Sequence, residues 1–223
     1  FKPMLAPHES PQTYPEYFED IKKRLPVFVS PKFDGIRCLP KNDPILDFGS
    51  LDSFSRGEDR WVCKSREFID LPSIHVQKQF RDYHELDGEL VEGNPTDPGV
   101  YNRTQSFIMS MDKPSDALSY HVFDCADERY CNEPFYKRID RAERMVRDYN
   151  AQFGSNVYLV DHILVETLDD FLTWEDQWLY MGYEGLMWRN PHSIYHWGRG
   201  TWLQGYNGKL KRFTDFEAKV IGF

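Results

Sequence analysis

The stretch SPKFDGIR, residues 30–37, places a single lysine between an apolar run and an Asp-Gly pair. The preceding letters VFV predict a buried strand, which would deliver Lys32 at its end. Glycine has no Cβ, so a turn made by Asp34 and Gly35 lets the backbone approach a bound ligand closely. A lysine amine is nucleophilic when it is unprotonated and aimed, and Arg37 adds a fork of donors for phosphate or sugar oxygens. The stretch therefore predicts a nucleophile at a strand end.

Charged residues interrupt the apolar pattern of later segments in the same way. In ELDGELV, Asp87 and Glu89 lie inside a predicted strand, where an acid is costly unless a partner offsets its charge. In KLKRF, Lys209 and Lys211 are two residues apart, so they share one face of a strand and suit one anionic target. We therefore expect these side chains to meet at a common site.

Three further segments add candidate residues near predicted strand ends. Arg66 lies in KSREF, Phe123 in YHVFD, and Glu184 with Gly185 opens EGLMWRN. Taken singly, each has an ordinary structural explanation: Arg66 as a surface arginine, Phe123 as core packing, and Glu184 as part of a helix end. Taken jointly, and in one order along the chain, they indicate a single pocket.

The composition bounds the class of protein. With 223 residues and 40% hydrophobic content, the chain can bury the core of one large domain or two small ones. No apolar run has the length of a membrane helix and no signal peptide is visible, so we expect a cytoplasmic protein without a membrane partner. Its four cysteines form no C-x-x-C pair, which favours a reducing compartment. The net charge of −9 neither requires nor excludes nucleic acid.

Hydrophobic periodicity predicts an α+β fold. Amphipathic helices are predicted at residues 14–25, 134–153 and 168–182. The run VYLVDHILV, residues 157–165, predicts one continuous strand, and residues 40–60 are predicted to form a loop with one short strand. Strands dominate and do not alternate regularly with helices, which favours α+β over a βαβ arrangement.

Together these segments resemble the adenylylation domain of ATP-dependent DNA ligases, most closely the compact viral and phage type. The likeness runs essentially end to end. KPMLA resembles the ligase opening, K-x-D-G-x-R resembles the lysine motif of covalent nucleotidyltransferases, and ELDGEL, EGLMWRNP and KLKRF resemble later motifs. The resemblance implies an ATP-grasp-like nucleotidyltransferase domain, with two antiparallel sheets, flanking helices and the nucleotide pocket between the sheets.

The resemblance also implies a role for each site residue. Lys32 would attack the α-phosphorus of ATP to form lysyl-AMP, AMP would pass to the 5′-phosphate of a nick, and the 3′-hydroxyl would then seal the strand. The remaining residues are assigned to the nucleotide and its metal. Ser30 and Phe123 would contact adenine, Arg37, Arg66 and Glu89 the sugar, Lys209 and Lys211 the α-phosphate, and Glu184 with Glu89 a Mg²⁺ or Mn²⁺ ion. The motif residues Asp34, Gly35, Asp87, Gly88 and Gly185 would shape the same pocket.

The likeness places the adenylylation domain at residues 1–213 and the start of a junction at residues 214–223. In this family the junction leads to an OB-fold domain, whose own motif orients the pyrophosphate. The expected partners are therefore a C-terminal OB-fold and nicked duplex DNA in replication and repair, bound by a monomer. Without the OB-fold motif, we expect adenylylation by these residues alone to be inefficient.

Two other functions remain open. An mRNA capping guanylyltransferase shares the lysine motif and the Asp-Gly-Glu element, but its metal-side motif typically begins with Asp-Gly where this chain has Glu184-Gly185. A module that binds nucleotides or nicks without catalysis would not need the lysine, and Lys32 is present. Labelling by GTP alone would favour the first alternative, and the absence of an ATP-dependent thermal shift would favour the second.

Overall fold

The structure is a computed structural model that describes residues 3–8, 13–42, 51–54, 83, 85–109, 116–154 and 156–212. Within these residues the chain forms four helices and nine strands. The helices are α1 (Tyr14–Arg24), α2 (Val100–Met109), α3 (Phe135–Phe153) and α4 (Leu168–Met181). The strands are β1 (Val27–Pro31), β2 (Ile36–Asn42), β3 (Leu51–Phe54), β4 (Leu86–Glu92), β5 (Leu118–Cys125), β6 (Val157–Leu159), β7 (Ile163–Val165), β8 (Leu186–Arg189) and β9 (Asn207–Leu210). In this part of the chain, no helix combines the length and apolar character that a membrane crossing requires.

The strands form two sheets, which confirms the predicted α+β class. The four-stranded sheet has the order β7-β1-β8-β9, and the five-stranded sheet has the order β3-β2-β4-β5-β6. The prediction of two antiparallel sheets is wrong at one edge, because β6 runs parallel to β5. A parallel pair requires a crossover connection, and α3 supplies it between these two strands.

The apolar run at residues 157–165 is two strands in different sheets, not the single predicted strand. Its first part, β6, pairs with β5, and its second part, β7, pairs with β1. Between them, Val160 N still donates to Val122 O at 2.7 Å before the chain leaves the five-stranded sheet. Both halves are rich in β-forming residues, so periodicity could not reveal the bend.

Side-chain caps and a left-handed glycine define several helix ends. Thr167 caps α4 by accepting from Asp170 N at 3.1 Å, and Gly182 ends the helix with a φ of 99°. Thr13 caps α1 in the same way, through Glu16 N. α2 was not predicted, and its fully buried Thr104 docks it on β4 by accepting from Glu92 N at 2.9 Å.

Each sheet buries its own apolar cluster against helices. The cluster of the four-stranded sheet packs against α1 and α4 and includes Ile21, Val27, Val29, Phe171, Leu186 and Trp188. The cluster of the five-stranded sheet packs against α2 and α3 and includes Ile36, Leu90, Tyr120, Val122, Ala142 and Val146. The two separate cores leave the space between the sheets available for a site.

A buried ion network joins the two sheets. Asp124 at the end of β5 accepts from Arg138 of α3 at 3.0 and 3.1 Å, and also from Arg189 of β8. Burial alone would raise the pKa of Asp124, but the two guanidinium groups hold it below its ordinary value. The carboxylate therefore stays charged and fixes one sheet relative to the other.

Candidate active site

The site is a cavity of about 280 Å³ lined by residues of both sheets and the N-terminal segment. Apart from Arg66, every residue that the sequence assigned to a catalytic, binding or metal role lies along its wall. These residues are Ser30, Lys32, Arg37, Glu89, Phe123, Glu184, Lys209 and Lys211. The structure thus brings together eight side chains that are spread over most of the sequence.

Lys32 lies just past the end of β1, where the backbone holds it from both sides. Its N–H donates to Gly185 O at 2.9 Å, and its carbonyl accepts from Glu184 N at 3.2 Å. The Lys32 side chain is 18% exposed, so its ammonium group reaches the cavity without opening to bulk water. These backbone contacts fix the position from which the Lys32 side chain enters the cavity.

The Glu184 carboxylate contacts two lysines of the cavity. One carboxylate oxygen accepts from Lys32 Nζ, and the other accepts from Lys211 Nζ. Burial would raise the pKa of Glu184, but the two ammonium groups lower it below its ordinary value. One carboxylate therefore holds two cations at the same end of the cavity.

The antiparallel register explains why the lysines converge. Ser30 pairs with Met187 across β1 and β8, and Met187 pairs with Lys209 across β8 and β9. These residues form a row across one face of the sheet, and all of them line the cavity. Two residues further along lie Lys32 and Lys211, on the same face because side chains alternate with period two. Lys209 and Lys211 both line the cavity.

Arg37 was predicted to hold sugar or phosphate oxygens, and in this structure its donors are largely engaged by protein. Nε donates to Asp87 at 2.6 Å, and Nη2 donates both to the second Asp87 oxygen and to Met4 O at 3.0 Å. Burial would lower the pKa of Arg37, but the Asp87 carboxylate raises it further above its ordinary range. Asp87 is fully buried, and this ion pair offsets the cost that the sequence pattern implied.

A tyrosine completes this network. Tyr195, 2% exposed, donates its hydroxyl hydrogen to Asp87 at 2.6 Å and accepts from Met4 N at 3.1 Å. Met4 is therefore held at both its N–H and its carbonyl, which fixes the N-terminal segment as a wall of the cavity.

The five-stranded sheet contributes Phe123 and Glu89 to the cavity wall. Phe123 on β5 lies with its ring under the Arg37 guanidinium, 4.4 Å from ring centre to carbon. Glu89 on β4 pairs in register with Arg37 on β2. An apolar ring beside a carboxylate suits a ligand with a flat base and a hydroxylated sugar.

The predicted glycines are required by close backbone packing. A Cβ on Gly35 would lie 2.3 Å from Leu90 O, and a Cβ on Gly185 would lie 2.3 Å from Leu210 O. Any side chain at either position would push apart strands that carry site residues. Asp34, the other half of the first Asp-Gly pair, is exposed.

The sequence missed several cavity residues. His162, Arg189 and Asn207 line the wall, and none was predicted to do so. Asn207 and Arg189 are register partners on β9 and β8, a relation that only strand pairing reveals. His162 follows the bend between β6 and β7, so it was counted as part of a continuous strand. Arg66 and residues 214–223, which were also predicted to matter, lie outside the described residues.

Comparison with known proteins agrees with this geometry. A family model described as "ATP dependent DNA ligase domain" matches residues 3–204. The DNA ligase of African swine fever virus (isolate Pig/Kenya/KEN-50/1950) is 24% identical over 99% of this chain, and the match covers 49% of that protein. The chain thus spans about half the length of the curated relatives it matches.

Solved structures share the fold. The Chlorella virus DNA ligase-adenylate superposes with a TM-score of 0.69 at 22% identity, covering 94% of this chain and 67% of that one. The ATP-dependent DNA ligase of bacteriophage T7, in complex with ATP, gives a TM-score of 0.63 at 15% identity, covering 94% and 68%. Because the family model covers most of the chain, and because both sheets, the strand-end lysine and its carboxylate partner are in place, this chain belongs to the ATP-dependent DNA ligase domain family.

Proposed function

We propose that this domain adenylylates itself on Lys32 with ATP, and that AMP then passes to the 5′-phosphate of nicked duplex DNA for sealing by the 3′-hydroxyl. The observation that carries the proposal is the position of Lys32 in a cavity lined by both sheets. There Lys32 donates to Glu184, and Lys211 donates to the same carboxylate. A lone strand-end lysine would have no need of this arrangement.

The first step forms a bond between Lys32 Nζ and the α-phosphorus and breaks the bond to the pyrophosphate oxygen. The amine must lose a proton to attack, and a free lysine has a pKa of about 10.4. Glu184 accepts a hydrogen bond from Lys32 Nζ. We infer that the incoming triphosphate draws Lys211 away from Glu184 towards the phosphates. Positive charge beside Lys32 then favours its neutral amine, and the released proton passes to solvent water.

Lys209 and Lys211 suit the charge that develops on the phosphate. Both line the cavity on one face of the sheet, close to the nucleophile. Fixed cations in a partly water-excluded site stabilise charge on a transferring phosphoryl group more strongly than they would in water. Lys211 is 37% exposed at its side chain, so it can turn from Glu184 to a ligand at small cost.

The opposite end of the cavity suits the nucleoside. Phe123 would stack on the base, Ser30 would meet its edge, and Glu89 would meet the ribose hydroxyls. Arg37 would act there mainly by holding Asp87 and Met4, with its remaining donor capacity directed at the sugar. Arg66 is proposed to contact the ribose and the nick phosphate on the basis of the motif alone.

A divalent cation fits this donor set. The described residues contain no cluster of three or more metal-ligating side chains, but Mg²⁺ is usually held by one or two carboxylates together with substrate phosphates. Glu184, which precedes β8, and Glu89, on β4, are two carboxylates that line the cavity. When bound, Mg²⁺ or Mn²⁺ would neutralise phosphate charge and assist departure of pyrophosphate.

The later steps involve partners beyond this cavity. Transfer to a nick and sealing are proposed for the protein in which residues 1–213 act as the adenylylation domain, joined through residues 214–223 to an OB-fold that orients the leaving group. A monomer acting on nicked DNA in replication and repair is the corresponding biological role. Guanylyl transfer from GTP is the competing activity, and nucleotide labelling separates the two.

Lys32→Arg tests the proposal directly. Arginine keeps the positive charge but does not lose its proton in a protein, so nucleotide binding should persist while the AMP adduct disappears. After incubation with ATP and Mg²⁺, intact mass spectrometry should show one added AMP on the wild type, and peptide mapping should place it on Lys32. An adduct that persists in Lys32→Arg, or labelling by GTP alone, would overturn the proposal.

A further inference from the structure

His162 is a polar cavity residue with no role in the chemistry above. It lies between β6 and β7, where the chain crosses from one sheet to the other. Its ring packs edge-on against Phe135, with 5.2 Å between ring centres, and it lines the cavity. The ring is thus held in place by its surroundings.

The hydrogen bonding of His162 defines its free nitrogen. Nδ1 lies 2.8 Å from Val160 O, and a carbonyl oxygen can only accept, so Nδ1 carries the hydrogen. Burial, and secondarily the charge of Arg189, lowers the pKa of His162 to about 4, so the ring is neutral at pH 7. Nε2 is then an acceptor, and it has no hydrogen-bond partner in the described part of the chain.

The strand register places His162 at the nucleoside end of the cavity. Val29 pairs with Ile163, the first residue of β7, so Ser30 and His162 are the next residues beyond this pair, and both line the cavity. Ser30 also pairs with Met187 on its other side. His162 therefore extends the cavity row of Ser30, Met187 and Lys209 to the edge of the sheet, away from the Glu184 end.

We propose that His162 Nε2 accepts a hydrogen bond from the 6-amino group of adenine and so makes this pocket select adenine over guanine. Guanine presents an oxygen acceptor at the same ring position, and two facing acceptors repel. A site that hydrogen-bonds a substrate N–H discriminates against an analogue lacking it, because the buried acceptor is then left unpaired. The inference rests on the proposed use of ATP and identifies what sets the base preference.

The test is a chemical double-mutant cycle on nucleotide binding. One nucleotide is ATP and the other is purine riboside triphosphate, which lacks only the 6-amino group. Isothermal titration without Mg²⁺, so that no adduct forms, gives the dissociation constants for the wild type and for His162→Phe, which keeps a ring against Phe135 but has no nitrogen. Effects on Val160 or on packing act on both nucleotides alike and cancel in the cycle.

The wild type should bind ATP roughly three- to tenfold more tightly than purine riboside triphosphate, the range of one hydrogen bond. In His162→Phe this ratio should fall to about one, since no acceptor remains to bond the amino group. The dissociation constants of GTP and ATP should differ less in His162→Phe than in the wild type. His162→Gln, which restores an acceptor at the end of the side chain, should recover part of the ratio.

Met187→Leu is the matched control. This substitution alters the same row of the cavity and removes no hydrogen bond. It should therefore weaken the binding of both nucleotides by the same factor and leave the ratio of their dissociation constants unchanged. Equal ratios in the wild type and His162→Phe would overturn the inference. That result together with an AMP adduct on Lys32 would leave the proposed function standing, whereas a lowered ratio without any adduct would overturn the proposed function alone.

Discussion

At the scale of single residues, the site depends on side chains that hold other side chains. Asp87 is fully buried and accepts from Arg37 and Tyr195, and the same tyrosine accepts from the backbone of Met4. Removing one donor would leave a buried carboxylate short of a partner, which costs more than an exposed hydrogen bond. Tyr195 is therefore as important to the cavity wall as the residues that face a ligand.

Tyr195→Phe should lower the free energy of unfolding by about 1–3 kcal/mol, because Asp87 and Met4 N each lose a hydrogen bond in a buried setting. Urea denaturation followed by fluorescence measures the change. Tyr136→Phe is the control, since Tyr136 is 42% exposed and its ring stays in place. An effect on Tyr195→Phe no larger than on the control would contradict the structural role.

At the scale of elements, one ion pair holds the end of β9, the strand that carries Lys209 and precedes Lys211. Glu175 on α4 is fully buried, and Arg212 just beyond β9 donates to its two oxygens at 2.8 and 2.5 Å. Tyr17 of α1 also donates to Lys209 O at 3.1 Å. Two helices therefore fix the backbone on either side of Lys211, and this fixes where its ammonium group can reach.

Arg212→Leu should destabilise the domain by about 1–3 kcal/mol, since it leaves the Glu175 carboxylate buried without its partner. The double variant Glu175→Leu with Arg212→Leu should recover most of that loss, because no unpaired charge remains. Arg144→Leu breaks an exposed pair with Asp140 and should cost less than about 0.5 kcal/mol. Chemical denaturation of the wild type and the three variants gives their free energies of unfolding. A double variant less stable than Arg212→Leu would contradict the prediction.

At the scale of the whole molecule, Asp124 is the charge that joins the sheets. Arg138 comes from α3 and Arg189 from β8, so the carboxylate links the helical layer of one sheet to a strand of the other. The cavity lies between those sheets and depends on their relative position. Breaking this link should therefore affect stability and nucleotide binding together.

Asp124→Asn should lower the free energy of unfolding by about 3–5 kcal/mol at pH 7, because two buried guanidinium groups lose their counter-charge. The folded pKa of Asp124 is lowered, so its contribution is present above the unfolded pKa of about 3.9 and is lost as the pH falls through the folded value. The difference in stability between the wild type and Asp124→Asn should therefore become smaller in acid. Thermal melts from pH 7 to pH 3 would contradict this if the gap stayed constant.

The sequence alone predicted the class of fold and the family, and eight of the residues that it assigned to a site line one cavity. Short motifs carry this information because a strand-end lysine, an Asp-Gly-Glu run and two alternating lysines specify local geometry through the period of a strand. Lys32, Glu184 and Lys211 could each be named from their segments. Their order along the chain resembles that of the ligase family, and the reaction that we assign to them is the proposal stated above.

Only the tertiary structure decided which charges pair with each other and which remain for a ligand. SPKFDGIR supplies both Lys32 and Arg37, yet Arg37 is largely engaged by Asp87 while Lys32 is held by a carboxylate 152 residues away. His162 was hidden in an apolar run that bends between two sheets. Partners of this kind are fixed by strand register and by the packing of one sheet on the other, and long-range contacts of that sort leave no local pattern in a sequence.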